Sequence, residues 1–514
     1  MQDLSKLQDA AEQALKWTQS QNAVREAEAF VAANDSLLAR LDYTSHIPCE
    51  GVLEPKSCGS FGIGLQVVLE GNGETLKGFG QETGDLGEAA IRSAFEKAKA
   101  GAVADPTFET LPKPIGGEPT LSDYHDPALM DLSDEDLVAL GWQAMDGAME
   151  AFDEGAKKLG EDPKALGFLI GGDVTVLQER IAIASTHMPA VQTDETTLIM
   201  ASFTAMVEAH NAKGTGWISG SKRSDFSSEV GAEAARNAVA NVDGQRVKSG
   251  KYRVVFGPQA VTDILTHIVL PSLKLGNLYA SSSSFLGKLT QQIADAGLSL
   301  YDNGALPGHM GSKRITCEGL PTGRTDLIKD GVMVGTLTDH YNFRRIFADK
   351  HAEEKLGVAP QQIEAAFVPR NGFRFQSGGG RGFGMTPGTA CTNIFLESSD
   401  PKTREELLKK VGSGLYVGRI WYTYPVNGLP AGDFTTTCIA DSYLIEDGKL
   451  GAPLQPNVIR INDNVAKILN NIIGVGDRQR GVIVWAADEV VYAPDVAVDD
   501  VNVTAIADFL AAST

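Results

Sequence analysis

FGIGLQVVLEGNGETLKGFG, residues 61 to 80, decides the fold class: two β-type runs flank Gly71-Asn72-Gly73, which supplies the positive φ angles of a tight hairpin turn. Upstream, Leu4, Leu7, Ala11, Ala14, Leu15 and Trp17 recur at helical spacing, so one face of an N-terminal helix docks on something. Downstream, DLGEAAIRSAFEKAKAG reads as a helix with Asp85 as its cap and Gly101 after its end. SDEDLVALGWQAMDGAMEAFDEGAKKLG, residues 133 to 160, predicts a long helix capped by Ser133, with Leu137, Leu140, Met145 and Met149 inward. TVLQERIAIAST and TTLIMASFTAMVEAHN then lean to strand, and SSEVGAEAARNAVANV to helix. This alternation of sheet and helix gives a mixed α/β domain over residues 1 to 247, with a boundary near DGQRVKSG.

From residue 248 to 514 the chain is rich in glycine and short apolar runs. YRVVFG, DLIKDGVMVGTLTD, TNIFLES and SYLIEDGKL are separated by turn pairs such as Asp330-Gly331, Asp447-Gly448 and Asn303-Gly304. A mostly β domain follows, and the whole chain reads as α+β. RFQSGGGRGFGMTPG, residues 374 to 388, is too glycine-dense for a regular element.

Composition narrows the function. A chain of 514 residues, 43% hydrophobic, buries cores for two or three domains. Its net charge of −21 repels phosphate backbones and anionic lipid, which argues against nucleic-acid and membrane-surface partners. No apolar run reaches the ~18 residues of a membrane span, and the N-terminal pattern is amphipathic with acids, so a cytoplasmic setting is expected. Cys49, Cys58, Cys317, Cys391 and Cys438 form no CxxC pair, which suits reduced thiols better than a disulfide framework or a structural zinc site.

Short motifs add little on their own. GSFGIG and SGGGRGFG lack the strand–helix setting and the Lys-Ser/Thr pair of a phosphate loop, and Ser281 to Ser284 lack a nucleophile elbow. No two of the eight histidines stand three to five residues apart, so a local zinc motif is absent. A metal site would have to be assembled from distant positions such as His309, His340 and Cys391.

Longer segments carry more. GFGQETGDLGEAAIRSAFEKAKAGAVADP, the run from SSSSFLGKL to MVGTLTD (residues 281 to 339), TPGTACTNIFLES and GDFTTTCIADSYLIEDGKL together resemble the TldD/PmbA family, once called modulators of DNA gyrase. The resemblance implies an N-terminal α/β domain and a C-terminal β-rich domain, paired into dimers that enclose a cavity. In the catalytic branch it implies an HExxxH motif and a downstream cysteine on zinc, the glutamate activating water. The PmbA-like (TldE-like) companion lacks that set, and the two form a heterodimeric peptidase acting on unfolded peptides.

Within THIVLPSLKLGN, residues 266 to 277, His267 falls on the first motif histidine, Ile268 on the glutamate and Ser272 on the second histidine. GVGDRQRGVIVWAADEVV contains no cysteine at the downstream position. Isoleucine accepts no proton from water, and Pro271 disturbs a ligand-bearing turn. The resemblance thus implies a metal-free subunit, with zinc expected only in a catalytic partner. That partner would be an HExxxH-bearing TldD-like paralogue, or a second copy of this chain in a homodimeric peptide-binding protein. Gly378, Gly379, Gly380 and Arg381 are candidates for a chamber-lining, substrate-binding loop, because glycine permits close backbone approach. A thiol enzyme using Cys391 or Cys438 with His340 is the competing chemistry.

Overall fold

The computed structural model of the chain describes residues 2–506 apart from 46, 54, 72–73, 115–119, 377–378 and 485–488. The hairpin read from residues 61 to 80 is present as strands Lys56–Gly71 and Glu74–Thr83 in antiparallel register, while its tip, Asn72 and Gly73, lies outside the described residues. These strands belong to an antiparallel sheet in the order Val103–Ala104, Glu74–Thr83, Lys56–Gly71, Val24–Thr44, Phe168–Ser185, Gln192–Val207, Ala212–Gly220, with Ile47–Val52 also on Val24–Thr44.

Alternation along the central strand Val24–Thr44 assigns the two faces of this sheet. Ala29, Val31 and Ala33 pack under helices Leu4–Gln19 and Glu88–Ala100. Leu37, Ala39 and Leu41, in the same phase, pack under helices Asp134–Leu159 and Glu229–Ala240. The opposite phase, Phe30 and Ala32, meets Ile315, Cys317, Phe373 and Phe383 from the second half of the chain. One face is therefore helix-covered and the other is turned to the second half.

Helix Asp134–Leu159 starts as its sequence predicts, with the Ser133 hydroxyl accepting from the Asp136 N–H at 3.1 Å. Asp85 is not the cap of the preceding helix. Gly87 occupies that position, and the Asp85 carboxylate accepts from the Gly87 N–H at 2.9 Å, a local turn two residues long that competes with capping.

Past helix Glu229–Ala240 the chain enters strand Gly250–Phe256, the first of a closed barrel. Its neighbours are Gly414–Pro425 and Val496–Ala505, and Ile459–Asn464 and Asp433–Glu446 complete the ring because Asp433–Glu446 pairs back onto Gly414–Pro425. Closure leaves these five strands without a free edge. A second sheet runs Val332–Met333, Arg324–Lys329, Leu298–Asn303, Asn393–Ser398, Val490–Ala493, Arg480–Val482. The Asp330-Gly331 and Asp447-Gly448 turns take positive φ at both residues, 49° and 77°, 49° and 71°, as tight hairpins require. The fold is α+β, as the sequence indicates. No helix of the described residues is long and apolar enough to cross a membrane.

Candidate functional site

The histidine segment follows the first barrel strand. Pro258–Ile264 is a short α-helix that widens into a π-turn over Leu265–Val269, where the Leu270 N–H donates back to the Leu265 carbonyl. Pro271 explains the widening, because it brings no N–H to the ladder and its ring crowds the preceding turn. His267 sits in this turn with Nδ1 2.9 Å from the Asp263 carbonyl oxygen and 3.4 Å from its carboxylate. The carboxylate contact is long, so Asp263 acts mainly as a nearby charge. Asp263 raises the histidine pKa above its ordinary value against the opposing effect of burial.

Ile268 and Ser272, the positions expected to match the rest of the zinc motif, have other roles. Ile268 is fully buried in the core that also holds Val254, Leu415 and Phe434. The Ser272 hydroxyl donates to the Ile268 carbonyl at 2.9 Å and meets Ser284 Oγ at 3.2 Å. One imidazole, one alkyl group and one engaged hydroxyl do not fit a zinc ion, which needs three or four N, S or O ligands. Nor are the distant candidates assembled: among the described residues no cluster of three or more His, Cys, Asp or Glu could hold a metal. His309 packs edge-on against Phe395 and Tyr492, and His340 Nε2 lies 3.2 Å from the Thr110 carbonyl oxygen.

The thiols are placed poorly for nucleophilic work. Cys391 and Cys438 are buried, and burial raises the first well above its ordinary pKa and pushes the second up to about 12. A buried thiol without an adjacent base or cation stays protonated and inert. The structure records no hydrogen bond between His340 and either sulfur among the described residues.

What the two halves do enclose is a cavity of about 600 Å³. Its first wall is the uncovered face of the N-terminal sheet, including Leu38, Thr175, Leu177, Met200, Ser202 and Trp217. Its second wall includes Gln259, Lys313, Phe375, Cys391, Arg419 and Trp421. Gly379 and Gly380 also line it, with φ of +93° and +84°; a Cβ on Gly380 would stand 3.0 Å from Asn34 Cγ. Glycine at both positions lets the loop close onto the sheet. Gly378 lies outside the described residues.

Arg381 takes a different role from its glycines. Its fully buried guanidinium binds Glu179 (Nε to Oε1, 2.8 Å) and Asp194 (Nη1 to Oδ2, 2.8 Å), both on the N-terminal sheet, and donates to the Ile315 carbonyl at 3.2 Å. Burial alone would raise the Glu179 pKa, but Arg381 and Lys313 outweigh it and hold the carboxyl at about 2. Arg374, at the other end of the glycine loop, pairs with buried Glu28 and lies 4.5 Å from the Phe30 ring centroid. The loop thus clamps one half to the other, and its arginines are structural ties rather than cavity groups. Sequence reading missed these carboxylates and Arg419. Ser202 stands between apolar Ala201 and Phe203, which marks it as the polar phase of its strand, but Glu179 lies in the polar run Gln178-Glu179-Arg180, where alternation gives no signal.

An α+β chain that holds a cavity between a helix-backed antiparallel sheet and a closed barrel defines the architectural class. Residues 249–505 match the family model described as the PmbA/TldA metallopeptidase C-terminal domain. The chain belongs to the PmbA/TldD family. A metalloprotease of Methanothermobacter thermautotrophicus is 25% identical over 265 residues, 51% of each chain. Metalloprotease PmbA of Escherichia coli O157:H7 is 24% identical over 250 residues, covering 48% of this chain and 46% of that one. The chain spans about half the length of the curated relatives it matches. The crystal structure of TldE from Thermococcus kodakarensis shares the fold, with a TM-score of 0.74 at 17% identity over 96% of this chain and all of that one (100%).

Proposed function

We propose that this chain is the non-catalytic subunit of a TldD/PmbA-type zinc peptidase, pairing with an HExxxH-bearing paralogue and holding extended, unfolded peptide for it. The observation that carries the reading is the donor set His267, Ile268, Ser272, in which the position of the water-activating glutamate is a fully buried isoleucine. Peptidase chemistry is the family's, and neither Ile268 nor Ser272 supplies the carboxylate that would activate a water. The cavity supports the binding half of the reading, since its sheet wall mixes apolar and hydroxyl side chains (Leu38, Leu177, Met200, Thr175, Ser202) and its volume suits a short peptide. A cytoplasmic setting agrees with the free thiols Cys58, Cys317, Cys391 and Cys438.

The test combines elemental analysis, sedimentation and a peptidase assay on unfolded casein. The purified chain should carry less than stoichiometric zinc and cleave nothing alone. Mixed with an HExxxH-bearing paralogue, it should sediment as a dimer with it and yield cleavage that a chelator abolishes. One tightly held zinc per chain, or chelator-sensitive activity of this chain alone, would overturn the reading. Dimerisation with itself but not with the paralogue would assign it instead to a homodimeric peptide binder.

A further inference from the structure

The cavity wall carries a cation that the fold leaves unanswered. Arg419 lies in strand Gly414–Pro425, is 8% exposed and lines the cavity. Its Nε is buried without a hydrogen-bond partner among the described residues, and its Nη2 reaches Ser202 Oγ only at 3.5 Å, the limit of a hydrogen bond. Asp441, Asp263 and Glu233 act on it through space, and no ion pair joins it to a described carboxylate. Asp441 is itself engaged, accepting from the Thr215 N–H at 3.1 Å and from the Thr215 hydroxyl. Its guanidinium also lies 5.9 Å from the Trp421 ring centroid, but a buried cation with no ion pair among the described residues is unfavourable, which points to an anionic group that arrives from outside.

The rest of the wall agrees in sign. Lys313 lines the cavity too, giving one N–H to Thr196 Oγ1 at 3.2 Å and standing 3.9 Å from Glu179. Asp173, the carboxylate on the described wall, is held at two points by Arg40 at 2.7 and 3.0 Å. Arg419 and Lys313 are thus the cations among the described lining residues, and of the two only Lys313 stands within ion-pair distance of a described carboxylate. The buried indole N–H of Trp217, on the facing sheet wall, is a second donor without a hydrogen-bond partner among the described residues.

We infer that Arg419 anchors the C-terminal carboxylate of a short peptide in this cavity. A guanidinium offers the planar two-donor edge that a carboxylate accepts in bidentate fashion. The apolar wall of Leu38, Leu177 and Met200, in about 600 Å³, favours a peptide chain over a small free anion. This inference rests on the peptide-binding reading above and adds the end by which the peptide is held.

Calorimetric titration of the full chain with N-acetyl-tetraalanine as free acid and as C-terminal amide tests it, with acetate and inorganic phosphate as free anions. The acid should bind at least about tenfold more tightly than the amide, the scale of one charge-assisted contact. In Arg419→Gln that ratio should fall to about one, and Arg419→Lys should keep part of it, with circular dichroism reporting folding of each variant. Equal binding of acid and amide by the unmodified chain would overturn the anchor while leaving the peptidase-subunit reading intact. Acetate or phosphate binding as tightly as the peptide acid would overturn the peptide assignment. Failure of either peptide to bind, in a chain that still restores cleavage to its paralogue, would also sink the anchor and spare the subunit reading.

Discussion

Arg381 spends its guanidinium inside the protein, and the buried carboxylates it faces depend on it. Replacement by methionine in Arg381→Met leaves Glu179 and Asp194 without their shared countercharge, and breaking a buried ion pair in this way costs about 3–5 kcal/mol. Urea unfolding should show a loss of that order. Because the Glu179 pKa is depressed to about 2, its stabilisation is present above the ordinary glutamate range near ~4.3 and is lost as pH falls toward the folded value. The stability gap between the unmodified chain and Glu179→Gln should narrow over that acid window. His267 behaves in the opposite sense and on a smaller scale. Its pKa is raised, so its contribution is fully present below the unfolded value near ~6.5 and fades as pH rises through the folded one. Thermal unfolding of His267→Ala should differ from the unmodified chain by no more than about 1 kcal/mol, with the gap larger at about pH 5.5 than at about pH 8.5. A large loss of peptide binding on this substitution would show chemistry at His267 that its surroundings do not predict.

At the scale of elements, helices Asp134–Leu159 and Glu229–Ala240 touch through glycine. A Cβ on Gly231 would stand 1.9 Å from the Ala144 carbonyl oxygen, and one on Gly147 would stand 2.3 Å from that of Ser228. Backbone cannot yield as a flexible side chain does, so Gly231→Val must push the pair apart. Overpacking of this kind costs about 1–3 kcal/mol or more, and the urea midpoint should fall accordingly. An unchanged midpoint would mean the two helices can slide without loss. The helix pattern itself was legible: Ser133 caps as expected, and Gly160 ends the helix in the left-handed region at φ 75°. Around His267 the pattern was less legible, because an apolar run around Pro271 does not announce a π-turn. That geometry arises where a missing N–H meets a helix held in place by its buried neighbours Ile264, Leu265 and Ile268.

Over the whole molecule, two buried sets of ion pairs and a shared apolar cluster join halves that each have their own core. Calorimetry should therefore record one cooperative transition for the unmodified chain and two resolved transitions for Arg381→Met; two transitions from the unmodified chain would contradict the clamp. The sequence by itself determined the α+β class, the long helices and hairpins, and that the Ile268 side chain carries no donor atom. Each of these is written locally, in a period of two or 3.6 residues, in a cap, or in the donor atoms a side chain possesses. Only the tertiary structure decided what those elements face. Strand alternation puts Glu179, Thr175 and Leu177 on one side of a sheet but does not say whether water or protein covers it. The Arg381 partners stand 202 and 187 residues away in the chain, so no spacing rule could pair them. Arg419 likewise reads as one more polar residue of a strand, and becomes an unanswered cation only because the barrel closes against the open face of the first sheet. Burial by a distant segment, which sets the sign and strength of every charge in that space, is a property of the packed halves and not of any stretch within them.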